Sequence, residues 1–593
     1  MTVADRLFSL RGQMAVMGID AFIIPGTDPH MSEYLAEHWQ FREWISGFTG
    51  SAGTVVVTAD KAGLWTDSRY FIQAEQELKE SEIELFKMGY PNTPSHPKWL
   101  ISELPAGAVV GIDGQNLSVE EAGKLTKLFK ANDIRLDTKV QVQDQVWEGR
   151  PPIPDEEVFE LDIKYSGLSL TDKIAKVRRE MKRFGATHYV ICGLDEIAWL
   201  LNLRGSDVEY NPVFYSYMVI SHNSVNLFID PHKITSTIGK QLTKGGVKIF
   251  LYEIFYEYLK ELPQLSTVYI DPAKVNSAVV NAIPSTAKID RGLSIITHLK
   301  SMKNKVETEG MKKCHIKDGV AMVKFLIWLE NNIGKIEITE LSAAEKLRSF
   351  RAEQENYLGD SFHTISAYGK NAALPHYSAD EENNATLQPE SLYLVDSGGQ
   401  YLEGTTDITR TVSLGKLTED EKRDFTLVLK GHINLSMAKF PQGTRGVHLD
   451  ILARNAMWQH GINYGHGTGH GVGHLLNVHE GPQSIRPQDN GIEMQLGMVT
   501  SNEPGIYKPE RYGIRTENLV LTVKDCETEF GTFYAFETIT MCPIDLKAVD
   551  AEMLNRDEKE WLNSYHATVY KKLNEHLSAE EKKWLKNQTR AIE

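Results

Sequence analysis

The hydrophobic pattern opens with an amphipathic helix followed by a buried strand. Apolar residues recur with helical spacing from Val3 to Met17, and Gly18 then interrupts the pattern. A glycine at this position is typical of a helix C-terminus, because it adopts the left-handed backbone conformation at little cost. The apolar run 21–25 that follows predicts a strand.

A similar unit of helix, glycine and strand occurs later in the chain. The apolar run 189–191 takes the place of the first strand. This repetition predicts two related α/β domains in the first half of the chain. The residues with matching spacing are Arg11, Met14 and Gly18 in the first copy and Arg178, Met181 and Gly185 in the second.

Proline and the helical pattern indicate where the domains end. Three of the four residues in 151–154 are proline, which is incompatible with a helix interior or a central strand. A long helical pattern begins at Val306, with Met322, Phe325 and Leu329 on one face. We therefore predict domains at 1–150, 151–303 and 304–593.

The last predicted domain alternates helices with apolar runs. Its helix starts are indicated by capping boxes, in which a hydroxyl and a carboxylate satisfy backbone donors reciprocally. Because these helices alternate with strand-like runs, we expect an α+β body with a curved, largely antiparallel sheet. The predicted helix starts are Ser342–Glu345, Thr418–Glu421 and Ser578–Glu581, with a further helix at 448–460 and strands at 392–395, 498–499 and 519–523.

Composition and charge limit the possible classes of binding partner and the possible cellular compartment. The 593 residues carry 64 basic and 80 acidic side chains, a net charge of −16, which argues against nucleic acid as a partner. The four cysteines are widely spaced, as expected in a reducing compartment. No apolar run approaches the ~20 residues needed to cross a bilayer, and the first residues do not resemble a signal peptide. We expect a cytoplasmic protein without a membrane partner.

The most unusual stretch is rich in glycine and histidine. Glycine occupies every second position from Gly465 to Gly473, and histidines stand at 466, 470, 474 and 479. Such a run makes a poor helix and a poor strand, because each glycine costs backbone entropy. Taken alone it fits either a flexible loop or backbone that passes close to a bound group.

Carboxylates on both sides of this stretch favour a bound group. Asp396, Asp407, Glu503 and Glu517 each lie beside an apolar run that predicts a buried strand. A carboxylate in such a place is costly unless it is paired or binds a cation. Four carboxylates and one histidine form a hard, oxygen-rich set, which suits a pair of Mn²⁺ ions better than a single Zn²⁺.

The order and surroundings of these residues resemble a known family. Asp396, Asp407, His470, Glu503 and Glu517, within HGTGHGVGH, NVHEGP, EPG and IRTEN, are similar to the metallopeptidases of the pita-bread fold. That group includes methionine aminopeptidase, prolidase and aminopeptidase P. The length of the chain and the sequence around His470 most resemble the long, three-domain, cytosolic aminopeptidases P. This resemblance extends over nearly the whole chain.

The resemblance implies a fold and a reaction. It implies two related N-terminal α/β domains, a C-terminal pita-bread (creatinase-like) catalytic domain, and a homodimer. It also implies hydrolysis of the N-terminal Xaa-Pro bond of peptides by two divalent ions, preferably Mn²⁺, with Zn²⁺ or Co²⁺ also compatible. On the family pattern Asp396 binds one ion, His470 and Glu503 bind the other, and Asp407 and Glu517 bind both. Glu503 would also act as general base towards a metal-bridging water and pass its proton to the leaving nitrogen.

Further residues match substrate contacts of the family. His376 and His479 match catalytic histidines that bind substrate and stabilise the intermediate, His466 matches a pocket histidine, and Arg69 matches an arginine that holds the peptide. Taken alone, each of these residues also fits a purely structural role: each histidine could be a core residue, and Arg69 could be a surface arginine at a strand-to-helix turn. His363 and His474 are interpreted as structural.

Two other functions remain open from the sequence. One is prolidase, which has the same metal ions but cleaves dipeptides. The additional N-terminal domains and the sequence around His470 favour aminopeptidase P over prolidase. A metal-free pita-bread binding module, as in certain histone-chaperone subunits, is disfavoured because all five ligand types are present. The chain departs from common family wording at Ser501, Asn502 and 378–379, which affects details of the pocket rather than a metal ligand.

Overall fold

The structure is a computed structural model that describes residues 1–381 and 383–593. The chain forms two compact units, one of residues 1–161 and 168–297 and the other of residues 162–167 and 298–593. In the described part of the chain, no helix has both the length and the apolarity that a membrane crossing requires.

The first unit begins with a mixed six-stranded sheet. Helix α1 is closed at its start by a capping box between Thr2 and Asp5 and at its end by Gly18, whose φ is +66°. Its helices are α1 (Val3–Met17), α2 (Phe41–Ser46), α3 (Phe71–Glu77), α4 (His96–Glu103), α5 (Val119–Lys130) and α6 (Gln143–Val146). Its strands are β1 (Ala21–Pro25), β2 (Thr54–Thr58), β3 (Ala62–Thr66), β4 (Ile83–Lys87), β5 (Val109–Ile112) and β6 (Arg135–Asp137).

A second mixed sheet of six strands follows. Its helices are α8 (Leu170–Phe184), α9 (Leu194–Leu201), α10 (Ser236–Lys244), α11 (Phe255–Lys260) and α12 (Ser277–Ala282). Helix α7 (Ile163–Ser166) precedes them in the other unit, and α13 (Ile295–Ser301) spans the boundary between the two units. The sheet contains β8 (His188–Ile191), β10 (Ser216–Ser221), β11 (Val225–Ile229), β12 (Val247–Phe250), β13 (Thr267–Ile270) and β14 (Lys288–Arg291), and a small ladder pairs β7 (Phe159–Glu160) with β9 (Leu203–Arg204).

The two sheets confirm the predicted repetition. Their strand orders, β4-β3-β2-β1-β5-β6 and β12-β11-β10-β8-β13-β14, correspond strand by strand. Arg11 Nε donates to the carbonyl of Thr58 at the end of β2 over 3.0 Å, and Arg178 Nε donates to that of Ser221 at the end of β10 over 3.0 Å. The matched arginines therefore tie the same helix to the same strand in both copies.

The second unit contains the remaining elements, and its strand pairs among the described residues are antiparallel, as predicted. Its helices are α14 (Lys305–Asn332), α15 (Glu340–Ala352), α16 (Glu419–Ser436), α17 (Gly446–Trp458), α18 (Arg556–Leu573) and α19 (Ala579–Gln588). Its longer strands are β15 (Tyr357–Asp360), β16 (Ile365–Tyr368), β17 (Leu392–Ser397), β20 (Ile408–Ser413), β24 (Val499–Asn502), β25 (Gly505–Lys508), β26 (Tyr512–Arg515), β27 (Asn518–Thr528) and β28 (Gly531–Thr538). The short strands are β18 (Gly399–Tyr401), β19 (Gly404–Thr405), β21 (Lys439–Pro441), β22 (Gly469–His470) and β23 (Ser484–Ile485).

Two helix starts differ from prediction. The capping boxes at Thr418 and Ser578 are confirmed, but α15 is capped by Thr339, with Ser342 rather than Glu345 as the reciprocal partner. Helix α17 starts before His448, because His448 Nδ1 accepts from the backbone N–H of Arg445 over 3.2 Å. At α15 a serine rather than a carboxylate provides the reciprocal bond, so the expected capping-box pattern pointed to the wrong residue.

Candidate metal centre

Two neighbouring strands present the first pair of carboxylates. Asp396 lies in β17 opposite Thr409 of β20, and Asp407 directly precedes β20. The backbone N–H of Glu517 donates to the Thr409 carbonyl over 3.1 Å, which brings the residue before β27 to the same place. Both strands are buried, so the carboxylates emerge from a hydrophobic sheet.

The glycine-rich stretch brings His470 to these strands. His470 lies in β22, and the next residue, Gly471, bridges to Thr500 of β24. The backbone N–H of Glu503 donates to the carbonyl of Thr468 over 2.8 Å. A Cβ at Gly469 would lie 1.9 Å from the Ser501 carbonyl oxygen, so the close approach of this backbone requires glycine.

The five predicted ligands therefore converge in one unit of the chain. Among the described residues, ligand atoms of Asp407, His470 and Glu517 all lie within 4.8 Å of one another. His470 Nε2 lies 3.5 Å from Asp407 Oδ2 and 3.5 Å from Glu503 Oε1. Its Nδ1 is 2.9 Å from the Gly471 carbonyl. Donation of the Nδ1 proton to this carbonyl orients the ring so that Nε2 faces the carboxylates, the orientation that metal-binding histidines use once Nε2 has lost its proton.

Burial disfavours ionisation of Glu503 and Glu517. Burial raises the pKa of Glu503 to about 7, against the opposing charges of His470 and Arg515. Burial, and then the charge of Asp407, raise the pKa of Glu517 well above its ordinary value. Burial lowers the pKa of His470, but its hydrogen bond to Asp407 and the nearby carboxylates outweigh this effect and raise the pKa to about 9. A cluster with these shifts is relieved by added cations.

Two buried carboxylate oxygens are suited to bind a metal ion, because they have no hydrogen-bond donor among the described residues. Asp396 Oδ1 and Glu517 Oε1 accept no hydrogen bond from the described residues, although both side chains are buried. Their other oxygens are occupied, since Arg515 donates to Asp396 Oδ2 and Thr409 donates to Glu517 Oε2 over 2.8 Å. Oxygens left in this way beside His470 fit hard divalent cations.

Arg515 links the carboxylates to a predicted pocket histidine. Its Nη2 lies 2.5 Å from Asp396 Oδ2, and its Nη1 donates to the Tyr507 hydroxyl over 2.7 Å. The same hydroxyl lies 2.7 Å from His466 Nε2, while His466 Nδ1 lies 2.7 Å from the Gly467 carbonyl. The Nδ1 proton can donate to that carbonyl, which leaves Nε2 to accept from Tyr507.

His479 lies against His470 in a braced loop. The two rings are 4.4 Å apart and nearly perpendicular, at 83°. The next residue, Glu480, is buried and forms ion pairs with Lys300 at 2.7 Å and Lys303 at 3.1 Å. The backbone N–H of Glu480 also donates to the Gly471 carbonyl over 2.7 Å, which ties this loop to the segment after His470.

The remaining residues named from the sequence are three histidines and Arg69. His376 follows Pro375, whose carbonyl accepts from Arg515 Nη2 over 3.3 Å. His363 Nε2 contacts the Ser378 hydroxyl at 3.1 Å, and His474 is buried. Arg69 belongs to the first unit, where its Nε and Nη2 donate to Asp67 over 2.8 and 2.7 Å.

Sequence reasoning missed several supporting residues. Ser501 accepts from the backbone N–H of His470 over 2.9 Å and donates to Glu503 Oε1 over 3.0 Å. Arg515, Tyr507 and Thr409 likewise contact predicted ligands or pocket residues. The only signal was proximity in sequence, because Ser501 and Arg515 each lie two residues before a predicted glutamate.

Family models match almost the whole chain. A model described as metallopeptidase family M24 matches residues 309–524, and one for the C-terminal region of that peptidase matches 532–592. Two models described as the creatinase/prolidase N-terminal domain match residues 6–146 and 149–307. The two matches to creatinase/prolidase N-terminal domain models agree with the two six-stranded sheets of the same strand order.

Individual proteins resemble the chain over its full length. A probable Xaa-Pro aminopeptidase P from Laccaria bicolor is 44% identical, and the alignment covers 99% of this chain and 92% of that protein. Aminopeptidase P2 from Arabidopsis thaliana is 41% identical over 99% of this chain and 87% of that protein. The crystal structure of X-prolyl aminopeptidase from Caenorhabditis elegans, described as a cytosolic enzyme with a di-nuclear active site, is 37% identical with a TM-score of 0.95, covering 100% of both chains. With this identity and coverage, the chain belongs to metallopeptidase family M24, with two creatinase-type N-terminal domains before a pita-bread peptidase domain.

Proposed function

We propose that this protein is an Xaa-Pro aminopeptidase, which releases the N-terminal residue of peptides that have proline in the second position. The observation that carries the proposal is full-length similarity to proteins named for this activity, at 44% and 41% identity. The convergence of four carboxylates and one histidine supports it, because these side chains provide the chemistry that a metallopeptidase needs.

Asp396, Asp407, His470, Glu503 and Glu517 would hold two divalent ions. The oxygen-rich donor set favours Mn²⁺, and Zn²⁺ or Co²⁺ are compatible. When bound, such a pair of ions lowers the pKa of a water molecule and polarises the scissile carbonyl. The free oxygens of Asp396 and Glu517 support this assignment.

Glu503 is the proposed general base and proton carrier. The amide nitrogen of an Xaa-Pro bond carries no hydrogen, so it must acquire a proton before it can leave. Glu503 accepts a bond from Ser501 and lies 3.5 Å from His470, which holds its carboxylate among the candidate ligands. It would take the proton of the attacking water and deliver it to the proline nitrogen.

The histidines and Arg69 are proposed substrate contacts. His376 and His479 would bind the peptide and donate to the developing oxyanion. His466, held by Tyr507, would line the pocket, and Arg69 would hold the peptide through its guanidinium. The position of His479 against His470 supports its place in this set.

Cytoplasmic location and homodimer formation are also proposed. The Caenorhabditis elegans structure is described as a cytosolic enzyme, which supports the first. The second follows only from resemblance to the family. Light scattering on the purified protein measures the mass directly, and a monomer at assay concentrations would remove the dimer from the proposal.

A cleavage assay tests the function. The protein would be treated with EDTA and then given Mn²⁺, with Arg-Pro-Pro, Arg-Ala-Ala and the dipeptide Ala-Pro as substrates. We expect Mn²⁺-dependent release of arginine from Arg-Pro-Pro and no cleavage of Arg-Ala-Ala. Cleavage of Ala-Pro alone would assign the protein as a prolidase, and no cleavage with Mn²⁺, Zn²⁺ or Co²⁺ would favour a binding module.

A further inference from the structure

We propose that Glu340 is a positioning residue for the loop that carries His376. This inference rests on the proposed function, because it concerns how one substrate histidine is held. Glu340 is the first residue of α15, and its side chain is completely buried. It belongs to neither the glycine-rich stretch nor the candidate ligands.

The Glu340 carboxylate collects donors from along one loop. Oε1 accepts from the backbone N–H of Tyr368 over 2.7 Å and from Asn371 Nδ2 over 3.0 Å. Oε2 accepts from the Tyr377 hydroxyl over 2.8 Å and from the backbone N–H of Ala385 over 2.8 Å. One carboxylate therefore bonds four residues that precede and follow His376 along the chain, namely Tyr368, Asn371, Tyr377 and Ala385.

These bonds hold the residues on both sides of His376. The Tyr377 hydroxyl bonds Glu340 and also lies 2.8 Å from the Asn383 carbonyl oxygen. On the other side, the Pro375 carbonyl accepts from Arg515, which is paired with Asp396. The His376 backbone is thus fixed between a structural carboxylate and the candidate metal centre.

The chemistry of the group explains why a carboxylate is used. An ionised carboxylate has two acceptor oxygens and no donor, so it can satisfy several N–H and O–H groups at once. A glutamine would direct an NH₂ group at donors that already point inwards. A buried donor without its acceptor is costly, so Glu340→Gln should release part of the loop.

Hydrogen–deuterium exchange tests the hold on the loop without any metal. In Glu340→Gln we expect exchange of amides in 368–378 to accelerate at least tenfold, with α16 and β27 unchanged. Glu345→Gln is the matched control, because Glu345 lies on the same helix with its side chain 72% exposed. Unchanged exchange in the loop would overturn the proposal.

Tyr377→Phe provides a milder test if Glu340→Gln does not fold. It removes one donor from the carboxylate and keeps the ring. Its control is Tyr368→Phe, whose hydroxyl donates to the Glu390 carbonyl and not to Glu340. We expect faster loop exchange in the first variant only, and equal behaviour of the two variants would count against the proposal.

A double-mutant cycle then tests the link to His376. We expect Glu340→Gln to lower kcat on Arg-Pro-Pro roughly 10- to 100-fold, because small misplacements of a catalytic group have effects of this size. In a His376→Ala background the same change should have little further effect. Equal losses in both backgrounds would show a general structural role and overturn the proposal. If the wild-type protein cleaves no peptide, the proposed function fails, and the exchange experiment still decides whether Glu340 orders the loop.

Discussion

Arg515 and Asp396 form a buried ion pair in which Nη2 lies 2.5 Å from Oδ2, while Asp396 Oδ1 accepts no hydrogen bond from the described residues. The guanidinium therefore occupies one oxygen of the carboxylate and leaves the other for a cation. Its Nη1 donates to the Tyr507 hydroxyl, so one guanidinium group orients both the candidate ligand Asp396 and the tyrosine that contacts His466.

Replacing Arg515 by lysine should impair catalysis even though the charge is kept. A lysine ammonium cannot bond Asp396 and Tyr507 in the fixed geometry of a guanidinium fork. We expect kcat/KM on Arg-Pro-Pro to fall roughly 10- to 100-fold, in line with misplacement of a site group. Elemental analysis should still find two metal ions per chain. Wild-type kcat/KM in Arg515→Lys would contradict the role given to this fork.

The metal-free protein should be stabilised by removing the Glu503 charge. Burial raises the pKa of Glu503 from 4.5 to about 7, so the folded protein holds this proton at pH values where the unfolded chain has lost it. The stability that results is fully present below pH 4.5 and is lost as the pH rises through 7. Each unit of such a shift corresponds to about 1.4 kcal/mol. With EDTA, Glu503→Gln should therefore have a higher Tm than wild type at pH 8 and a similar Tm at pH 4.5.

Mn²⁺ should reverse this order, because the wild-type ligands gain binding free energy that the variant partly lacks. Differential scanning fluorimetry at the two pH values, with EDTA or Mn²⁺, measures both effects. Glu345→Gln is a control on an exposed side chain of the same charge. A metal-free wild type that is more stable than Glu503→Gln at pH 8 would be inconsistent with a carboxylate whose burial disfavours its charge.

Two glycines of the same stretch should differ in their tolerance of alanine. A Cβ at Gly469 would lie 1.9 Å from a backbone oxygen of Ser501, whereas a Cβ at Gly467 would meet Arg486 Cβ at an ordinary 3.4 Å. We expect Gly469→Ala to lose Mn²⁺-dependent activity and to lower Tm, and Gly467→Ala to retain both within about twofold and about 2 °C. Similar behaviour of the two variants would indicate that the backbone can move apart at Ser501.

Arg69→Ala tests the proposed substrate contact. We expect KM for Arg-Pro-Pro to rise about tenfold with kcat little changed, because the lost group binds substrate and does not react. Asp67→Asn is the companion variant, since it keeps the arginine but weakens its bidentate partner. An unchanged kcat/KM in Arg69→Ala would remove this residue from the site.

The candidate ligand set could be proposed from the sequence because it depends on residue types and their order along the chain. Asp396, Asp407, His470, Glu503 and Glu517 do converge in one unit, and the repeated helix–strand spacing does correspond to two matching sheets. The supporting residues could not be predicted in this way. Arg515 bonds Asp396, 119 positions away along the chain, and Glu340 bonds Tyr377, 37 positions away, so nothing in the local pattern names these partners.

The start of α15 shows the same limit on a smaller scale. The Ser342–Glu345 pattern is a valid capping box, but Thr339 with Ser342 formed one three residues earlier. Glu340 could then enter the first turn and reach Tyr377 and Ala385. Local propensity allowed both starts, and the buried loop donors favoured the earlier one.

The bonds from Arg11 to Thr58 and from Arg178 to Ser221 attach the first helix of each copy to the end of the corresponding strand. Both helices have 15 residues and end in a left-handed glycine, so their anchoring points are alike. Arg11 has an additional ion pair with Glu82 at 3.0 Å. A chimera that exchanges α1 and α8 should therefore place an arginine beside the corresponding strand-end carbonyl at each new position.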